Sequence, residues 1–177
     1  MKKILNTFAA IGAALSLLVG CATINALSPA QVAQIGVVIT QVSNEGAVYA
    51  IQQDGRNAAY FKAAIPVLDN FANGTDLSPA ALQTALSNTT LGTNQWVSLA
   101  ITAVVVTYDV SYSQYISGQL TNSPAAKAWI VAVETGFKQA TGVALKAGKP
   151  VCPTFVVNGK VDKAVIKARV KAALAKK

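Results

Sequence analysis

The sequence predicts an all-α fold: an up-and-down bundle of four to five helices, followed by an extended linker and a basic C-terminal helix. Three observations lead there. Ser28-Pro29-Ala30, Ser78-Pro79-Ala80 and Ser123-Pro124-Ala125 each put a serine hydroxyl where it can accept from the open amides of a first turn. The proline that follows loses no hydrogen bond at that position and pre-sets φ. Apolar residues then recur at helical spacing. Finally, 53% of the chain is apolar and only 12% charged, with Ala and Val outnumbering aromatics, which suits close-packed helices.

The first helix is expected over Ser28 to Asp54, with Val32, Ile35, Ile39, Val42, Gly46 and Tyr49 along one stripe and Asp54-Gly55 as its stop. Leu27 and Leu77, each just before a capping serine, are placed to act as hydrophobic staples. The second helix, Arg56 to Ala72, turns Phe61, Ala64, Leu68 and Phe71 to one side, and Pro66 is expected to kink or split it. Asn73-Gly74-Thr75 reads as a turn. It matches a glycosylation sequon, as does Asn88-Thr89-Thr90, and both are read as turn chemistry. A short helix from Ser78 to Leu86 carries Leu82 and Leu86. Thr93 or Asn94 then caps the longest apolar helix, carried to about Ser117. Its β-branched stretch Ile101–Val106 resembles a strand, but the long run without a breaker favours a buried helix. The last bundle helix, Ser123 to about Thr141, aligns Trp129, Val133 and Phe137.

The pattern changes after this helix. Residues 142–159 hold Gly148, Pro150, Pro153 and Gly159 and read as a linker or an extended wrap. Within them, Thr154–Val157 either forms a short strand or tucks Phe155 into a groove. Residues 160–177 read as a helix with Val161, Val165, Ala168 and Ala172 on an apolar stripe and Lys160, Lys163, Lys167 and Lys171 on a basic one. Ile166 and Val170 fall off the apolar stripe, so the amphipathicity is imperfect.

Charge divides the chain. From Lys138 to the end there are ten Lys/Arg and one acid, whereas Cys21 to Phe137 carries three Lys/Arg against six acids. A mildly acidic body therefore precedes a strongly basic tail.

Met1-Lys2-Lys3, the apolar run Phe8–Val19 and Leu18-Val19-Gly20-Cys21 form a positive segment, a short apolar core and a small-residue stretch ending in cysteine. This arrangement resembles a bacterial lipoprotein precursor. The resemblance implies removal of residues 1–20, with Cys21 as a mature N-terminus bearing acyl chains of the palmitate type. The apolar run falls short of the roughly 20 residues of a membrane span. A retained helix, or ordinary secretion with cleavage nearby, are the alternatives. Residues 21–27 would be a short tether and 28–141 the bundle. Ala22, in place of an aspartate, implies the periplasmic face of the outer membrane in a Gram-negative cell. In a Gram-positive cell, the same anchor implies the outer face of the plasma membrane.

With Cys21 committed to lipid, Cys152 has no partner within the chain. It is either a quiet, buried or semi-buried thiol, a disulfide between two copies, or a reactive group. Histidine is absent, which removes the commonest general base and metal ligand, and no metal or cofactor motif is recognised. Gly142 to Lys149 has the wrong spacing for a phosphate loop. Glu45, Asp54, Asp69, Asp109 and Glu134 could in principle pair for acid–base chemistry, and solvated carboxylates are the simpler reading.

Two surfaces are expected to carry function. Lys160, Lys163, Lys167, Arg169 and Lys171 suit an anionic envelope surface such as peptidoglycan, lipopolysaccharide or teichoic acid, unless they merely solubilise the tail. Nucleic acid is not expected, because no aromatic residues interleave with the lysines. Tyr108, Tyr112 and Tyr115 share one helix face and either meet a partner or line the core with hydroxyls at its rim. The expectation is a non-enzymatic, membrane-anchored lipoprotein whose body binds an envelope protein. A structural tether between membrane and cell wall is the alternative.

Overall fold

The computed structural model describes residues 27–89, 95–116, 123–142 and 152–175. It is an all-α bundle of six helices among the described residues: α1 Pro29–Gln53, α2 Asn57–Ala72, α3 Pro79–Ser87, α4 Gln95–Tyr115, α5 Pro124–Gly142 and α6 Lys163–Ala175. A two-stranded hairpin, β1 Val156–Val157 and β2 Lys160–Val161, precedes α6.

All three serine caps form. Ser28 Oγ accepts from Gln31 N at 3.2 Å while Gln31 Oε1 accepts from Ser28 N at 2.9 Å, a reciprocal capping box. Ser78 Oγ accepts from Ala81 N at 3.3 Å, and Ser123 Oγ from Ala126 N at 3.1 Å. Asp54 ends α1 in extended geometry. Its carboxylate accepts from the backbone and guanidinium of Arg56, which hold its pKa below the usual value. Pro66 does not split α2, which is a single helix of 16 residues; it is exposed, on the side away from Leu68.

Helix α1 is the centre of the packing, lying against α5 and α4 with α6 across it, while α2 covers α5. Inter-helix pairs give the directions. Trp129 Nε1 donates to Val32 O and Thr40 Oγ1 to Ala132 O, and Gly136 faces Thr40 and Ser43, so α1 and α5 run parallel. Gly46 faces Ala100 and Tyr49 stacks edge-on with Trp96, so α1 and α4 run antiparallel.

This central position explains why the buried surface of α1 is wider than one stripe: Val38, Ala47, Ala50 and Ile51 are buried along with Ile35, Ile39, Val42 and Gly46. The remaining core contains Trp129, Tyr108, Phe61, Phe137, Leu68, Leu77, Leu82 and Leu86, all fully buried. Phe61 and Phe137 join α2 to α5 with ring centroids 5.0 Å apart. The Ile101–Val106 stretch lies within α4. This is the one described helix long and apolar enough to cross a membrane, and half of its apolar window is buried in the bundle.

The tail departs from expectation in two places. Lys160 and Val161 pair with Val157 and Val156 across a turn at Asn158-Gly159, whose φ angles of 52° and 71° suit a tight hairpin. Lys160 is therefore on a strand, and α6 begins after Asp162, whose carboxylate accepts from Ala164 N at 2.8 Å. On α6 the buried residues are Ile166 and Val170, with Val165, Ala173 and Leu174 half-buried against the core and Val161 of β2 doing the same. Val161 and Val165 of the expected stripe therefore face the bundle, but Ala168 and Ala172 are exposed and Ile166 and Val170 take their place. Phe155 is buried, so the segment both forms a strand and inserts its aromatic ring. Much of the expected linker, residues 143–151, lies outside the described residues, as do Cys21 and the whole leader.

Candidate functional site

The five cations expected to meet an anionic surface divide into two groups. Arg169 is turned inward: Nη1 donates to Glu45 Oε2 at 3.1 Å, Nη2 donates to Thr154 Oγ1, and the guanidinium lies 5.5 Å from the centroid of Phe155. It pins α6 to α1 and to the hairpin. Lys163 Nζ is 3.1 Å from Asp109 Oδ2 and ties the start of α6 to α4. Lys160, Lys167 and Lys171 are exposed and enter none of the ion pairs among the described residues.

The tyrosine strip also divides. Tyr108 is a core residue with no exposed surface, and its hydroxyl donates to Leu77 O at 2.6 Å. Burial raises its pKa, with Tyr112 and Asp76 adding to the shift. It cannot meet a partner in this packing. Tyr112 and Tyr115 are half-buried; burial raises both of their pKa values, and the Tyr112 ring is 5.8 Å from that of Tyr108.

Four of the five acids considered for acid–base work face cations. Asp54 pairs with Arg56, Asp109 with Lys163, Glu45 with Arg169 and Glu134 with Lys138. Asp69 is exposed. Among the described residues, no group of three His, Cys, Asp or Glu side chains is placed to hold a metal ion. Cys152 is an exposed free thiol at a small cleft with Glu45, Thr154 and Arg169. Burial and the neighbouring Cys152 raise the pKa of the Tyr49 hydroxyl.

A further concavity joins Val32 and Tyr115 to positions that periodicity did not single out. Where α1 starts, α4 ends and α5 starts, a groove of about 620 Å³ is walled by Leu27, Pro29, Val32, Ala33, Gly36, Tyr115, Ile116, Ser123, Pro124, Ala125 and Ala128. Among the described residues, no charged side chain lines it. Its walls come from the capping motifs themselves: the prolines and alanines that start α1 and α5 are small and cannot fill the gap between helix ends. A shallower depression continues along the α1/α5 seam past Val37 and Val131, which are 57% and 48% exposed. The sequence carried a signal here, since Ala33, Val37, Ala128 and Val131 are apolar positions outside the main stripes. A stripe analysis assigns such positions to solvent.

In comparison with known proteins, no family model, curated protein or solved structure matches this chain.

Proposed function

We propose that this chain is a non-enzymatic envelope lipoprotein, anchored by lipid on Cys21, whose bundle binds a protein partner and whose C-terminal region contacts an anionic envelope surface. The observation that carries the reading is the separation of the basic residues by role. Arg169 and Lys163 secure α6, leaving Lys167 and Lys171 exposed on that docked helix and Lys160 exposed on the hairpin before it. A folded platform presents these charges at lower entropic cost than a loose tail would. Leu18-Val19-Gly20-Cys21 supports the anchor, and exposed Val37 and Val131 on the uncharged α1/α5 seam support a protein contact.

The test is cross-linking in intact cells with mass spectrometry, comparing the full chain with one in which exposed Lys160, Lys167 and Lys171 are replaced by glutamine and docked α6 is kept. A single protein partner retained by the lysine variant supports a binding module. Recovery only with peptidoglycan or lipopolysaccharide, and only with the lysines present, supports the alternative of a structural tether. Cys21→Ser protein that still fractionates with membranes at unchanged mass would overturn the anchor. A copy-to-copy disulfide through exposed Cys152 would appear on a non-reducing gel and vanish in Cys152→Ser.

A further inference from the structure

The groove between helix ends lies where the chain enters the bundle, because Leu27, the first described residue, is part of its wall. We infer that this groove seats an acyl chain carried by Cys21. The inference rests on the lipid-anchor reading and goes beyond it by giving one of the chains a binding site on the protein.

Reach comes first. Only residues 22–26 separate Cys21 from Leu27. Six extended steps span at most about 20 Å, so the attachment point at Cys21 is tethered within that distance of the groove wall at Leu27. A short tether also keeps its local concentration near the millimolar range, which a lipid or peptide arriving from solution must match.

Chemistry comes second. Pro29 and Ala33 of α1, Tyr115 and Ile116 of α4, and Pro124 and Ala125 of α5 present mainly apolar or small groups, and among the described residues no charge faces the space. The Ser123 hydroxyl in the wall is engaged, accepting from Ala126 N. The volume of about 620 Å³ falls within the ~300–1,000 Å³ usual for small-molecule sites. A hydrocarbon chain asks for no hydrogen bonds, and this groove is poor in groups to make them.

Geometry comes third. Pro29, Ala33, Pro124 and Ala128 of the wall are exposed, so a chain seated here covers apolar surface that otherwise faces water. The remaining chains stay in the membrane. The result is a bundle held end-on, with the start of α1 and the end of α4 at the bilayer, instead of one swinging on a loose tether.

The experiment uses the full chain made in bacteria fed a diazirine-bearing fatty acid, then purified in lipid nanodiscs and illuminated. Intact mass first establishes whether Cys21 is acylated. With acylation present, the expected result is cross-links to peptides containing Leu27–Gly36 and Tyr115–Ala128. These should be lost in Ala33→Trp or Ala125→Phe protein that melts like the parent. Cross-links confined to lipid, scattered outside the groove, or unchanged in both folded variants would overturn the inference and leave the anchor intact. The same groove cross-links in Cys21→Ser protein mixed with diazirine-lipid vesicles would also overturn it, making bilayer lipid the occupant. A mass without acyl groups overturns the anchor reading itself, and this inference with it.

Discussion

Gly136 of α5 approaches Thr40 of α1 so closely that a Cβ at position 136 would lie 2.6 Å from the Thr40 carbonyl oxygen. The obstacle is helix backbone, which cannot rotate aside as a side chain would. The same Cβ would also lie 2.6 Å from Ser43 Cβ. The parallel contact of α1 and α5, the largest in the bundle, therefore depends on a missing side chain.

Gly136→Ala should destabilise the fold despite the better helix propensity of alanine, by about 1–3 kcal/mol for an overpacked core site. Ser43 provides the contrast at the same seam. Its buried hydroxyl oxygen makes no hydrogen bond, so Ser43→Ala should be neutral or mildly stabilising. Urea denaturation of both variants checks the pair; equal effects would mean that the seam is not tightly packed.

Tyr108→Phe removes the donor to the Leu77 carbonyl and leaves that oxygen buried without this partner. A loss of about 1–2 kcal/mol is expected. Tyr112→Phe, at a half-buried ring on the same face, should change stability by less than about 0.5 kcal/mol. Chemical denaturation distinguishes a core tyrosine from one on the rim.

Burial pushes Tyr60 up to about 12, against the opposing hydrogen bond of Thr89, and raises Tyr108 as well. The ordinary value is 10.0, so between about 10 and 12 the unfolded chain loses the phenolic proton while folded Tyr60 keeps it. Stability from this source is intact below pH 10 and falls as pH rises through that window. Denaturation midpoints taken from neutral to alkaline pH should fall there, more shallowly in Tyr60→Phe. That variant has a lower starting stability, because Tyr60 Oη donates to Leu86 O at 2.6 Å.

Replacing Lys160, Lys167 and Lys171 together with glutamine should leave the melting temperature unchanged within error, since all three are exposed. Binding to anionic vesicles should weaken by about 1 kcal/mol per lysine at low salt and lose its salt dependence accordingly. Arg169→Ala should do the reverse. By releasing Glu45, Thr154 and the Phe155 ring, it should cost about 1 kcal/mol and raise hydrogen exchange in α6. Vesicle co-sedimentation and hydrogen exchange separate the two roles.

The helix boundaries were legible because their chemistry is local. Ser28, Ser78 and Ser123 with their prolines start three helices, and Asp54 ends one. The core stripe of α5 was legible because Trp129, Val133 and Phe137 are large, apolar and regularly spaced. The hairpin left its mark in Asn158-Gly159, a turn pair that the helical reading of the tail passed over. The docking face of α6 was legible only in part: Val161 and Val165 face the bundle as expected, but α1 and α4 bury Ile166 and Val170 in place of Ala168 and Ala172, and no contact is written in spacing.

By itself, then, the sequence determined the fold class, the caps, the acidic body with its basic tail, and the resemblance of the first 21 residues to a lipoprotein leader. Each of these depends on near neighbours or on composition. Only the tertiary structure decided that α1 is central and parallel to α5, that Arg169 and Lys163 are spent on docking, that Tyr108 is core, and that three helix ends leave a groove beside Leu27. These depend on which residues meet across 31 to 124 positions of chain, and that is settled by packing shape and burial once the helices are already formed.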